Sequence, residues 1–443
     1  MKRPKDTHVP GAAPGADHDS ALAPEQLWRL LPRPLFSGGN EVRLLSGGKE
    51  LFPAMVEAIT RARHEIYLAS YIYHPDGSAM AITEALVEAA RRGVQVKVVI
   101  DGFGSRGTLH LLVPLLERAG VLVQVFRRIH RWWNWFQPGQ LRRLHQKMCV
   151  IDAETAFVGG INIIDDRYDM VHGWTDEPRL DFAVQLRGPV VAPVAQATRA
   201  MWSRAEMGRH FGDEVVALAR SAEPVARMKR LIRRLRMPRN TGLQLHADAL
   251  PPVRAAFVLR DNLRQRRTIE RSYIVALRSA RTRIDLISPY FYPGRIFRRA
   301  LRQAARRGVQ VRLLLQGKLD YRFAGLAARV LYDELLASGV RIFEYTPAFL
   351  HAKIAVVDDD WATVGSSNID PLSLLLNLEA NVIVRDGDFT SALAAQFDEA
   401  VAASREIDPR QTHPRSVEGV LRRGFVAWCA YVYLRIAGTT GRY

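Results

Sequence analysis

LHQKMCVIDAETAFVGGIN (Leu144–Asn162) and LHAKIAVVDDDWATVGSSN (Leu350–Asn368) are two versions of one pattern. Each reads H-x-K-x-x-x-x-D: His145, Lys147 and Asp152 in the first, His351, Lys353 and Asp358 in the second. Seven residues beyond each Asp stands a Gly (Gly159, Gly365), and ten beyond stands an Asn (Asn162, Asn368). The chain holds 12 His and only eight Lys, so a random sequence of this composition contains roughly 0.01 such matches. Two matches with equal downstream spacing point to a duplicated functional element.

The duplication extends outward from the motifs. Ala58–Leu68 matches Ala276–Leu286 at an offset of 218, AARRGVQV at Ala89–Val96 recurs identically at Ala304–Val311 at 215, and Gly120-Val121 recurs as Gly339-Val340 at 219. Near-constant offsets over such a span indicate an internal repeat. In each copy an amphipathic helix leads into an apolar strand (66–73; 284–290), then a helix and a β-branched strand (94–100; 309–315), then another helix and strand (121–126; 340–345). This alternation predicts an α/β fold of two α/β/α repeats around largely parallel sheets, related by a pseudo-twofold and forming one bilobal catalytic unit. The boundaries read as a disordered lead over 1–39, a first repeat over 40–237, a linker over 238–252, a second repeat over 253–404 and a basic, aromatic tail over 405–443.

Composition bounds the partners. Of 443 residues, 48% are hydrophobic, enough for a sizeable core, and two cysteines exclude a disulfide scaffold. The formal charge is +18, and 55 of the 63 basic residues are arginine. Such a surface favours polyanions, either nucleic acid or an anionic lipid leaflet, although arginine richness also follows from a GC-rich genome. The first 25 residues lack the apolar run of a signal peptide, and no stretch reaches the ~18–20 apolar residues of a spanning helix. GFVAWCAYVYL (424–434), flanked by Arg422, Arg423 and Arg435, reads equally as an interfacial helix and as a helix docked on the protein. Arg220–Arg239 carries eight basic residues against Glu223; it reads as a solvated helix face at least as readily as a phosphate patch.

The motif residues suit phosphoryl chemistry. His and Lys at i and i+2 of a strand project from one face. Folding the two copies face to face gathers two imidazoles, two ammonium groups and two amides in one cationic, donor-rich cleft, which matches a phosphoryl group whose charge must be stabilised. One His can attack phosphorus while the other protonates the departing alkoxide and then deprotonates the acceptor. Each needs a carboxylate to fix its tautomer; Asp181 and Glu379, at the heads of apolar runs, are the candidates. No Cys/His cluster with zinc spacing accompanies the motif and the lysines would repel a cation, so no metal or cofactor is expected.

The doubled HxKxxxxD with its trailing G-G/S-x-N resembles the phospholipase D superfamily over roughly residues 40–400, and within it the bacterial cardiolipin synthases of the short type without N-terminal transmembrane helices. The resemblance rests also on LASYIYHPDG, ISPYFYP and the run that ends NLEANV. It implies His145, Lys147, Asp152, His351, Lys353 and Asp358 as catalytic positions. It implies Asn162 and Asn368 as phosphate ligands, with Ser366 in support. It pairs the carboxylates across the halves, Glu379 with His145 and Asp181 with His351, and makes His145 the nucleophile. The sequence departs from it at Gln146, where many such enzymes carry Arg, and at Gly160, where the second copy has Ser366.

The implied activity is phosphatidyl transfer from phosphatidylglycerol through a phosphohistidine to the hydroxyl of a second phospholipid, releasing glycerol, with phosphatidylethanolamine as a further candidate substrate. The implied setting is the cytoplasmic face of the bacterial cell membrane, with peripheral attachment. Tryptophans interleaved with arginines in Arg127–Arg143 (RRIHRWWNWFQPGQLRR) suit a lipid interface and equally single-stranded nucleic acid. Hydrolysis by water, as in a phospholipase D, or another phosphatidyl transfer is the alternative; a nuclease is less favoured, and with it a nucleic-acid partner. Both half-sites lie in one chain, so a monomer suffices.

Overall fold

A computed structural model describes residues 33–408, apart from 129–142, 171, 210–220, 222, 239–240, 243–248, 262–264, 319–330 and 371–376. The tryptophan-rich stretch, the candidate tail helix and most of the N-terminal lead therefore lie outside the described residues.

Two sheets carry the fold. In the first, β1 (Glu41–Ser46), β2 (Glu65–Ser70), β3 (Gln95–Asp101), β4 (Leu122–Phe126), β5 (Lys147–Ile151), β6 (Thr155–Gly159) and β7 (Phe182–Arg187) lie in the order β1-β7-β6-β5-β2-β3-β4. In the second, β8 (Arg254–Arg260), β9 (Arg283–Ser288), β10 (Gln310–Gln316), β11 (Arg341–Tyr345), β12 (Ile354–Val357), β13 (Trp361–Gly365), β14 (Glu379–Arg385) and β15 (Ser404–Glu406) lie in the order β8-β14-β13-β12-β9-β10-β11-β15. Strand for strand the second order repeats the first, with β15 added at the far edge. The duplication read from the sequence is thus a duplication of one topology.

The sheets are mixed, not largely parallel. Only β2-β3-β4 and β9-β10-β11 run parallel; the other pairings are antiparallel. Turn length explains the difference. Three residues, Asp152–Glu154, join β5 to β6, and a parallel pairing needs a crossover of a dozen or more. The AARRGVQV copies end α2 (Met80–Arg91) and α7 (Arg295–Arg306) and feed the parallel strands, where such crossovers exist. Gly93 and Gly308, both at positive φ, close these helices and turn the chain into β3 and β10.

The helices introduced in chain order are α1 (Gly47–Thr60), α2, α3 (Leu109–Arg118), α4 (Val191–Arg209), α5 (Pro224–Leu235), α6 (Thr268–Ser279), α7, α8 (Tyr332–Leu336) and α9 (Gly387–Ala402). Strands β6 and β7 lie against β13 and β14, and α4 and α9 cover the sheets. One apolar cluster consequently runs through both halves, from Val158, Val184, Val194 and Trp202 to Phe257, Val356, Val382 and Phe397, all buried. Burying side chains of this size is worth about 1.5–3 kcal/mol each, so the halves hold one another rigidly at their junction.

Candidate active site

The cleft forms where the two halves exchange strand ends. His145 N–H donates to Leu378 O (3.1 Å) and Leu378 N–H to Arg143 O (2.9 Å); across the pseudo-twofold, Leu180 N–H donates to Phe349 O (3.0 Å) and His351 N–H to Leu180 O (2.9 Å). Each histidine therefore sits beside the segment of the opposite half that carries a carboxylate. His145 Nδ1 is 2.9 Å from Glu379 Oε2, and His351 Nδ1 is 2.6 Å from Asp181 Oδ2. With Nδ1 engaged in both rings, each Nε2 is the nitrogen left for a substrate. Lys147 Nζ donates to His145 O at 2.9 Å, and Lys353 Nζ makes the same contact with His351 O. Five of these six side chains are buried and His351 is half-buried, and they act on one another: Lys353 on His145, and Lys147 and His145 on His351.

The two histidine–carboxylate pairs are not equivalent. Ser366 Oγ donates to Glu379 Oε2 at 2.5 Å and accepts from Ala380 N–H at 3.0 Å. In the first half Gly160 occupies the corresponding position, and a Cβ there would run into the Asp181 carboxyl. Asp181 takes a single bond from its own strand, from Phe182 N–H (2.8 Å). Burial alone would raise Glu379, but His145, Lys147 and the Ser366 hydroxyl hold its carboxyl below the usual range. Burial dominates at Asp181 and pushes it up to about 7, against the opposing pull of Lys353. Burial also lowers both imidazoles, His351 well below its ordinary value with Lys353, Lys147 and Arg179 adding to the effect. Hence an ionised carboxylate supports His145, while the His351–Asp181 pair can retain one proton near neutral pH.

Burial depresses Lys147 to about 7 and Lys353 to about 8. Both lysines are charged below those values and lose their charge as pH rises through them, while Asp181 gains a negative charge over the same interval. Sulfate, whose own charge is constant there, is expected to bind at pH 6, to weaken as pH rises past about 7, and to lose at least about tenfold in affinity per pH unit above 8. Titration calorimetry at pH 6, 7.5 and 9 checks this; affinity independent of pH would contradict the charge assignment.

Asn162 and Asn368, the expected phosphate ligands, are both buried. Asn162 Oδ1 accepts from Ile72 N–H (3.2 Å), which leaves its amide nitrogen as the group able to meet a ligand, and Asn368 Oδ1 is buried with no partner among the described residues.

Asp152 and Asp358, expected as catalytic positions, lie apart from the histidine–carboxylate pairs. They lie at the opposite ends of β5 and β12, past the last strand residue. Asp152 accepts N–H bonds from Arg63, His64 and Glu65 at 2.8 Å each, and Asp358 accepts from Arg281, Thr282 and Arg283 at 2.8–3.2 Å. Both adopt positive φ, 52° in each case, a conformation Asp tolerates better than most residues. They fasten the end of the strand that follows each His–Lys pair to the entry of its antiparallel neighbour, β2 or β9. Asp152→Ala is expected to cost about 1–3 kcal/mol of stability, from the amides left unpaired, while the turnover number stays within about tenfold. Thermal unfolding with parallel activity measurements checks the split.

Other contributors carry no motif. Gln146 is buried and donates to Glu379 O (3.1 Å), so the residue that departs from the family pattern anchors the carboxylate strand of the other half. Asp101 accepts from Leu144 N–H (2.9 Å) and Gln316 accepts from Leu350 N–H (2.8 Å); these positions differ by the repeat offset of 215, which makes them findable. Tyr71 lies edge-on to His145, ring centroids 5.1 Å apart, with Lys147 Nζ 5.4 Å from its ring centre. The repeat places Pro289 opposite Tyr71, so periodicity gave no signal for it.

With this geometry in view, comparison with known proteins is specific. A family model described as "Cardiolipin synthase, PLD-like domain" matches twice, over residues 55–172 and 273–401, once in each half. The chain belongs to that family. It is 35% identical over 408 residues to cardiolipin synthase B of Escherichia coli K12, covering 88% of both chains. It is 31% identical over 380 residues to cardiolipin synthase A of Pseudomonas putida GB-1, covering 84% of this chain and 72% of that one. The solved structure of phosphatidylserine synthase from Haemophilus influenzae Rd KW20 superposes with a TM-score of 0.62 at 15% identity, covering 92% of this chain and 98% of that one; this likeness bears on the fold alone. Among the described residues no helix is long and apolar enough to cross a membrane.

Proposed function

We propose that the chain is a phosphatidyltransferase of the cardiolipin synthase type, taking phosphatidylglycerol as donor and the hydroxyl of a second phospholipid as acceptor. The observation that carries the reading is the unequal pair of cross-half contacts, His145–Glu379 supported by Ser366 and His351–Asp181 with its raised carboxyl. Environments that push two titratable groups apart mark the base and the acid.

In this reading His145 Nε2 attacks phosphorus and the bond to the glycerol oxygen breaks. The His351–Asp181 pair gives its proton to that oxygen, and glycerol leaves. The pair then takes the proton from the acceptor hydroxyl, whose oxygen attacks phosphorus and frees His145. Lys147, Lys353 and the amides of Asn162 and Asn368 stabilise the charge on the non-bridging oxygens. Product analysis with phosphatidylglycerol vesicles and EDTA tests the assignment. Cardiolipin plus glycerol supports it; phosphatidic acid would make water the acceptor, and no lipid consumption would refute it. The setting we infer is the cytoplasmic membrane surface, reached peripherally.

A further inference from the structure

Helix α5 is built from the basic run Arg220–Arg239. It docks on α4, where Arg204 Nε donates to Leu235 O (3.0 Å) and Gln196 Nε2 to Arg236 O (3.4 Å). Arg227, Leu231 and Leu235, one helical turn apart, are half-buried on the docked side, and Met237 beyond the helix is buried. The apolar sector does not end where the docking ends. Val225 is 67% exposed, Ile232 58% and Met228 39%. At 3.6 residues per turn these three fall within an arc of about 60°, and Lys229, Arg230, Arg233 and Arg234 fill the arc beyond it, all exposed. An arginine-rich composition accounts for the basic arc. It does not account for three large apolar side chains turned to solvent along one stripe, since exposed apolar residues scattered singly are ordinary and a contiguous set is not.

An apolar stripe bordered by cations has a specific complement: acyl-chain boundary beneath a layer of anionic headgroups. A protein partner would have to offer an apolar groove rimmed with acids, whereas a second copy of this chain, at +18, is repelled by the basic arc. We infer that α5 is a membrane-contact helix. Val225, Met228 and Ile232 enter the headgroup boundary of an anionic leaflet, and the basic arc lies along its phosphates. The inference deepens the phospholipid reading, on which its choice of partner rests.

The test uses the full chain in vesicle flotation, with phosphatidylcholine vesicles against vesicles containing phosphatidylglycerol. Two double variants are compared with the native protein, Val225→Ser with Ile232→Ser, and Arg230→Glu with Arg233→Glu. Activity is followed on a short-chain phosphatidylglycerol below its micellar concentration, where no surface is needed. Each variant is expected to lose at least about tenfold in partitioning to the anionic vesicles while keeping its melting temperature and its activity on the monomeric lipid. Partitioning unchanged in both folded variants would overturn the inference. So would an apolar variant that changes only the oligomeric mass, which would make the stripe a self-association face. If the native protein binds anionic vesicles through α5 but consumes no monomeric lipid, the functional reading fails and the surface assignment stands.

Discussion

His145→Ala is expected to abolish cardiolipin formation, by at least about 10⁴-fold in turnover, with little change in stability. The ring touches Glu379 at 2.9 Å and meets Tyr71 edge-on, but it belongs to the cleft and not to the shared apolar core, so its removal leaves the packing of Phe257, Val356 and Val382 intact. The loss should be one of kcat and not of lipid affinity, because Lys147, Lys353 and the basic surface remain. A steady-state assay on mixed micelles, read beside a thermal melt, separates the two. Loss of activity accompanied by unfolding would say nothing of nucleophilicity, so His145→Gln, similar in volume and able to meet Glu379, is the companion variant and should be equally inactive.

The second large effect distinguishes the two carboxylates. On the proposed mechanism Asp181→Asn and His351→Ala remove the group that delivers a proton to the departing oxygen, and each is expected to lower transfer from phosphatidylglycerol by about 10²–10⁴-fold. A phosphatidyl ester of p-nitrophenol needs no proton on its leaving group. With it, both variants should release nitrophenolate in a first turnover at near-native rate. Glu379→Gln should not, because Glu379 acts on the attacking ring: Ser366 and His145 hold it ionised, and its neutral replacement withdraws that support from the imidazole. Rapid-mixing absorbance of the first turnover reads this directly. Equal rescue of all three variants would mean that the halves are chemically interchangeable, against the Gly160/Ser366 asymmetry.

Much of this architecture is legible in the residues, and the remainder is hidden for physical reasons. The near-constant offsets between the copies carry the duplication, and H-x-K spacing keeps ring and ammonium together, although of the four residues only Lys147 lies within a strand. The same spacing sets the motif aspartates apart from the cleft: four residues separate Lys147 from Asp152, which sends Asp152 past the far end of β5. No local spacing connects position 145 to 379 or 351 to 181; those pairings come from the family resemblance and, in the structure, from the exchange of strand ends. The mixed sheets follow from a three-residue turn, whereas the helix–strand alternation suggested parallel order. Charge counting could not separate a solvated basic helix from a membrane-facing one, because the difference lies in which way Val225, Met228 and Ile232 point.

The central claim is that one of two similar histidines carries the phosphatidyl group, and it can be read from the protein itself. Native enzyme mixed with phosphatidylglycerol, quenched in base within the first turnover and digested, is examined by mass spectrometry for a phosphatidyl adduct. The account predicts the adduct on the peptide containing His145, strengthened in His351→Ala supplied with the nitrophenyl ester. An adduct on the peptide containing His351, or transfer that proceeds with neither peptide modified, would contradict it.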